Sequence, residues 1–297
     1  MPVPKRIRTR FTPSSAIEYE YRRSLLRLVH KWEDLYVGTV DPYIEQLVME
    51  RSLQLHGEAE PVRKDGWSQN LDTMMDRLKM NMEAVRDEER MRVSALDIGQ
   101  KSSEWHDKKW RSSMTEVIGV RPFASDTGTM ELLNAFADDN ITLIMNLEEY
   151  TYSDIHHIVS SGVSTGRRHE NIRRDIISRT DLDAGVFRKV ENRAKLIARD
   201  QVAKLNGQIN MQKQLQAGVE LYIWHNVDDE RVRASHDVME DKICRWDDAT
   251  VYKDDLTDKR WKKRSSINGV EKHPAEDYQC RCFAEPLIVD LYDDIYD

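Results

Sequence analysis

Glycine and proline are scarce, with twelve and eight in 297 residues. Both interrupt helices, so their scarcity favours long uninterrupted ones. Cysteine is scarcer still: Cys244, Cys280 and Cys282 are the three, all in the last fifth of the chain. An odd, clustered set excludes a secreted disulfide framework and leaves a metal or buried thiols in a reducing compartment. No apolar run approaches the roughly 20 residues of a membrane span. The N-terminal basic residues are followed by no apolar core of a signal peptide, so none is expected. Positive charge is in deficit, with a net charge of −8. That excludes a generic nucleic-acid binder and leaves DNA contact to local basic patches. Apolar residues make up 39% and charged residues 33%, against about 45–50% (counting glycine) and about 25% in ordinary domains. Such a chain suits helices with wide solvated faces better than one thick core. Its length allows one large domain or two smaller ones.

What is present begins with Lys5, Arg6, Arg8 and Arg10 in an acid-free stretch, residues 1–13. It reads as an extended basic arm, either a solvated tail or a contact for nucleic acid or an acidic partner. Ser14-Ser15 and Glu18 form a capping box for a helix. Its apolar stripe runs Tyr21, Leu25, Leu28, Trp32 and Leu35, and Pro42 interrupts it before Tyr43, Ile44 and Leu47 resume. Residues 56–66 read as a loop. Leu71, Met75, Leu78, Met82 and Val85 mark a second long helix, expected to continue through Trp105 and Trp110. A loop from Gly119 to Gly128 follows, then helices from Met130, a short one at Asp154–Ser160, and a turn at Gly162–Gly166. The basic run Arg167, Arg168, Arg173, Arg174 and Arg179 is either a solvated face paired with acids or a contact for nucleic acid or an acidic partner. The turn before it lacks the Gly-Lys-Ser/Thr ending of a phosphate loop. Another long helix spans Phe187 to Leu215, and from Leu221 short strands and loops take over.

The chemistry-bearing residues gather at the C-terminus. Asp229-x-Arg231-x-Arg233-x-x-His236 is followed by His273-Pro274 and Cys280-Arg281-Cys282. Zinc takes four thiolate or imidazole ligands, so His236, His273, Cys280 and Cys282 are the candidate set, with Cys244 as a substitute, for a structural zinc. The competing account buries the thiols as small apolar groups and hydrogen-bonds the histidines. Asp229, Arg231 and Arg233 form a polar cluster. On a helix Asp229 would pair with Arg233, one turn away, and on a strand residues 229, 231 and 233 would share one face. An enzymatic alternative makes His236 a general base, as in a metal-dependent nuclease. No nucleophile motif, helical His pair or glycine-rich cofactor loop supports catalysis.

From about Asn146 to Pro286 the chain resembles the phage Mu F-like minor head proteins, the phage head morphogenesis family. The resemblance rests on the order of Gly162-Val163-Ser164, Ala194-x-x-Ile197-Ala198-Arg199-Asp200, Asn206, Gly218, Trp224, the Asp229 to His236 run, His273 and Cys280-Arg281-Cys282. It departs at Asp200-Gln201, where Thr-Glu is common, and at Glu240-Asp241-Lys242, where Asp-Gly-x is frequent. The resemblance implies a low-copy structural virion component of a tailed phage at the portal vertex. The portal protein is its expected partner, with the major capsid or scaffolding protein and packaged DNA as further ones. It would act in procapsid assembly, DNA packaging or ejection, with the host cytoplasm as its place during assembly. The alternatives are a metal-dependent nuclease in the C-terminal module, or an internal DNA-binding virion protein without portal contact. The expected fold is α+β, mainly α. It divides into the arm (1–13), a helical region of unassigned role (14–128), the helical part of the head-morphogenesis region (129–219), a small mixed α/β module (220–289) and an acidic tail (290–297).

Overall fold

The computed structural model describes residues 5–7, 9–55, 66–119, 128–180 and 182–289. The loop readings at 56–65 and 120–127, Arg8 and the acidic tail lie outside them. The chain is mainly helical. Its helices are α1 (Ser15–Thr39), α2 (Ile44–Leu55), α3 (Gly66–Val85), α4 (Glu88–Ile118), α5 (Thr129–Ser164), α6 (His169–Ile177), α7 (Val186–Gln216) and the single turn α8 (Ala234–Asp237). The strands are β1 (Lys5–Arg6), β2 (Leu221–His225), β3 (Ile243–Arg245), β4 (Asp248–Lys253), β5 (Lys262–Lys263) and β6 (Phe283–Ile288). None of the helices is long and apolar enough to cross a membrane, among the described residues.

The chain forms two compact units, each built from separate stretches of sequence. One comprises residues 20–95 and 137–198, the other residues 1–19, 96–136 and 199–297. Compositional shifts mark where helix gives way to strand, whereas compactness is set by which distant segments pack together.

In the all-helical unit, α1 buries Tyr21, Leu25, Val29, Trp32, Tyr36 and Val40. Leu28 and Leu35 flank that stripe half-buried, because steps of three and four drift across a 3.6-residue turn. Pro42 sits in a 3-10 turn, Asp41–Tyr43, between α1 and α2. The helix expected to run on to Trp110 stops at Val85. Asp87 accepts the backbone N–H of Arg90 at 3.0 Å, capping the new start of α4. The short helix expected at 154–160 is instead part of α5, which runs on to Ser164 with Gly162 inside it, and the expected turn is confined to Thr165-Gly166. A Cβ on Gly162 would come within 2.6 Å of Ile172, so this glycine permits the close approach of α6. The basic run is mostly neutralised. Arg167 pairs with Asp175, Arg173 with Asp41, Arg174 with Asp183, and Arg179 with Glu33 and Glu191.

In the mixed unit, six strands form one antiparallel sheet in the order β1-β6-β2-β3-β4-β5. The central strand β2 has the buried triplet Tyr222, Ile223 and Trp224, as expected for a short strand covered on both faces. The last turns of α7 are tied to the sheet by buried amides. Asn210 and Gln214 both donate to the Ala284 carbonyl, at 2.9 and 3.3 Å, and Gln214 accepts the Trp246 indole N–H at 3.0 Å. The N-terminal segment is extended, but it is built into this unit rather than free as an arm. Lys5 and Arg6 pair with Ile288 and Leu287, and Ile7 and Phe11 are fully buried with Trp110 and Met114. Burying these two apolar side chains supplies the energy that a wholly basic tail would lack.

Candidate functional site

The Asp229 to His236 run forms a turn that leads into the single helical turn α8, too short for an Asp229–Arg233 pair one turn apart. Both residues instead reach across to the segment before β6. The Asp229 carboxylate takes Arg281 in two contacts, at 2.6 and 2.7 Å. Arg233 donates to Asp277 at 2.6 Å and to the Tyr278 carbonyl. Two ion pairs thus clamp the motif turn to the Cys-x-Cys segment. The Arg231 backbone N–H closes the turn on Asp229 at 3.0 Å.

That clamp brings three buried donors together. His236 Nδ1 lies 3.5 Å from Cys280 Sγ and 3.5 Å from Cys282 Sγ. Residues 280–282 lead directly into β6, and their burial alternates, with Cys280 and Cys282 buried and Arg281 half-buried. Cys280 and Cys282 point inward while Arg281 turns out to Asp229. The chain reaches this course through left-handed backbone at Ala275 (φ 72°) and Gln279 (φ 56°), which costs roughly 1–2 kcal/mol per L-residue. Gln279 is anchored by its N–H to Asp200 at 2.6 Å, and Ala275 presses on α7 at Gly207, where a Cβ would meet it at 2.7 Å.

Around the trio, His236 Nε2 lies 3.3 Å from Asp277 Oδ2, and Lys272 also pairs with Asp277 at 2.8 Å. Burial opposes charge on Asp277, but hydrogen bonds from Lys272 and His236 prevail and hold its carboxyl down at about 2. Burial likewise lowers the His236 pKa, yet the Cys280 sulfur and Asp277 outweigh it and raise the ring above its ordinary value. Cys282 donates to Cys280, which brings the Cys280 thiol down to about 5 against its burial and pushes the Cys282 thiol up. The three side chains line a cavity of about 110 Å³ rimmed by Arg199, Arg231 and Arg233.

His273 and Cys244 are not at this point. His273 Nδ1 is hydrogen-bonded to the Tyr222 hydroxyl at 2.9 Å, and its ring packs on Trp246 at 5.1 Å. Cys244 is buried on β3, and burial pushes its thiol up to about 11. Of the candidate set, His236, Cys280 and Cys282 converge, while His273 serves the core. Arg6, expected at a nucleic-acid contact, donates to Glu285 at 2.8 Å. Glu285 also holds His225 Nε2 at 2.7 Å, and Glu240 holds Nδ1 at 2.7 Å. Burial lowers the His225 pKa, but these two carboxylates raise it further, above the ordinary value. Arg10 is exposed, with its carbonyl taken by Lys109.

Against known families, residues 153–285 match the model described as Phage Mu protein F like protein. This stretch, less than half of the chain, is similar to the Phage Mu F-like family of phage head morphogenesis proteins. A protein of Haemophilus influenzae described as uncharacterized is 27% identical over 158 residues, which are 53% of this chain and 30% of that protein. The chain therefore spans less than a third of that relative's length. No solved structure matches the chain.

The Mu F-like region includes the whole clamp and all three donors. One of its departures now has a physical reading. Asp241 stands where the resemblance leads one to expect glycine, and its backbone is left-handed, with φ 58°. Asp241→Gly is expected to raise stability by about 0.5–1 kcal/mol by removing the Cβ strain, seen as a higher denaturant midpoint. A lower midpoint would mean that the Asp241 carboxylate, 3.9 Å from His225 Nδ1, contributes more than the strain costs.

Proposed function

We propose that the protein is a structural minor capsid protein of a tailed bacteriophage. In this reading it is bound at the portal vertex, inside or at the capsid, and acts in procapsid assembly, DNA packaging or ejection. The observation that carries the reading is the Mu F-like match over residues 153–285. The portal protein is the principal partner, with the major capsid or scaffolding protein as further contacts during assembly in the host cytoplasm. The internal DNA-binding alternative loses support from the N-terminal segment, since Arg6 is held by Glu285 within the protein. The nuclease alternative finds little support in the donor set. Two sulfurs and an imidazole suit soft or borderline ions, whereas phosphodiester cleavage usually employs hard ions on oxygen ligands.

The test is co-expression with the portal protein of the same phage, followed by size-exclusion chromatography and mass determination. A stable stoichiometric complex is the expected result. A well-folded protein that elutes apart from an assembled portal would overturn the portal assignment.

A further inference from the structure

We propose that His236, Cys280 and Cys282 hold one zinc ion whose fourth position opens onto the arginine-rimmed cavity. The distances carry the first part. With Zn–S of about 2.3 Å and Zn–N of about 2.0–2.1 Å, a tetrahedral site has an N···S edge of about 3.6 Å. Both observed edges are 3.5 Å, and all three donor atoms lie within 4.8 Å of one another. A thiol activated by a histidine would place one sulfur against the ring. Here two sulfurs are equally near the same nitrogen, as two corners of a tetrahedron are to a third.

The surroundings are those of a ligand set. Asp277, 3.3 Å from His236 Nε2, keeps the proton on that nitrogen and turns the Nδ1 lone pair toward the sulfurs. Such carboxylate–histidine pairs orient the imidazoles that bind metals. The Ala275 N–H donates to Cys280 Sγ at 3.4 Å, which stabilises a thiolate. Cys280, Cys282 and His236 are only 4%, 6% and 3% exposed. A bound cation compensates the cost of burying thiolate charge there.

The donor chemistry selects the metal. Two thiolates and one imidazole favour zinc over magnesium, calcium or manganese. Among the described residues no fourth His, Cys, Asp or Glu joins the group. The cavity of about 110 Å³ beside it has room for a water, which needs roughly 10–15 Å³. The proposed fourth ligand is therefore a water in that cavity. The ion would tie α8 to the Cys-x-Cys segment and so fasten the two sides already clamped by the ion pairs.

The experiment uses the full chain, expressed in zinc-supplemented medium and purified without chelators. Elemental analysis is expected to find one zinc per chain. Cys280→Ser and Cys282→Ser should each lose it, while Cys244→Ser and His273→Gln should keep it. Asp277→Asn should bind zinc about 10–100-fold more weakly. Because the cysteine variants can misfold, the unaltered protein provides a second readout. Its cobalt-substituted form should show the intense thiolate-to-cobalt charge-transfer absorption of a tetrahedral site. Substoichiometric metal, a cobalt form without that absorption, or zinc retained by the Cys280→Ser/Cys282→Ser double variant would each overturn the proposal.

Discussion

Replacing Arg264 with methionine is expected to destabilise the mixed unit by about 3–5 kcal/mol, far beyond an ordinary surface arginine. Arg264 is fully buried. Its Nε donates to the Val251 carbonyl at 3.1 Å, and Nη1 donates to the carbonyls of Val270 and Lys272 at 3.2 and 2.7 Å. Nη2 donates to the Tyr222 hydroxyl at 3.1 Å, and the guanidinium stacks 5.5 Å from the Trp224 ring. One side chain therefore ties β4, β2 and the segment leading to His273. Methionine keeps the volume but removes the donor from two buried acceptors, the Val251 carbonyl and the Tyr222 hydroxyl, and from the part-buried carbonyls of Val270 and Lys272. Arg264→Lys is also expected to lose stability, because one ammonium cannot reach acceptors spread around a planar fork. Chemical denaturation followed by tryptophan fluorescence reads both variants. A methionine variant within about 1 kcal/mol of the unaltered protein would show that the network is not a stabilising one.

The same network explains how far the site was legible in the sequence. The presence of His273 close to Cys280 and Cys282 made it a natural fourth ligand. Which way its ring turns is decided by the Tyr222 hydroxyl, 51 residues away, and by Arg264 behind that hydroxyl. Spacing carries no such information. His236 and the two cysteines were legible because their residue types and order were enough to bring them together as candidates. The polar cluster was legible as a set but not in its pairing. A helix would have joined Asp229 to Arg233, whereas a turn sends them separately to Arg281 and Asp277.

The long helices were legible from apolar stripes, since their burial faces repeat every 3.6 residues. Their ends were less so. The stop after Val85 depends on one capping carboxylate at Asp87, amid residues that all favour helix. In the sequence, strand β1 reads as an arm because two basic residues form it. The signal for burial was Ile7 and Phe11 among the charges. The two-unit division was not legible, because each unit is assembled from segments far apart in the chain.

Acid should unfold the mixed unit through His106, and the sign follows from its burial. His106 is fully buried and stacked on Phe11 at 5.1 Å. Burial drives its pKa down to about 3, with the positive charges of Lys213 and Lys109 adding to the shift and the nearby Asn210 side chain opposing it. The folded ring therefore stays neutral in mild acid, while the unfolded ring takes a proton below about pH 6.5. The unfolded chain then binds more protons, so stability rises with pH across that window. The contribution is complete above the unfolded value and is lost as pH falls from about 6.5 toward 3. The expected slope is about 1.4 kcal/mol per pH unit. Between pH 7 and 4.5 this amounts to about 2–3 kcal/mol. His106→Phe keeps an aromatic ring beside Phe11 and removes the titration, so its denaturation midpoint should fall less steeply over the same range. The difference between the two profiles isolates this group from the carboxylates, which titrate in both proteins. Parallel profiles would mean that His106 is protonated or exposed in the folded state, and that the acid sensitivity of this unit has another source.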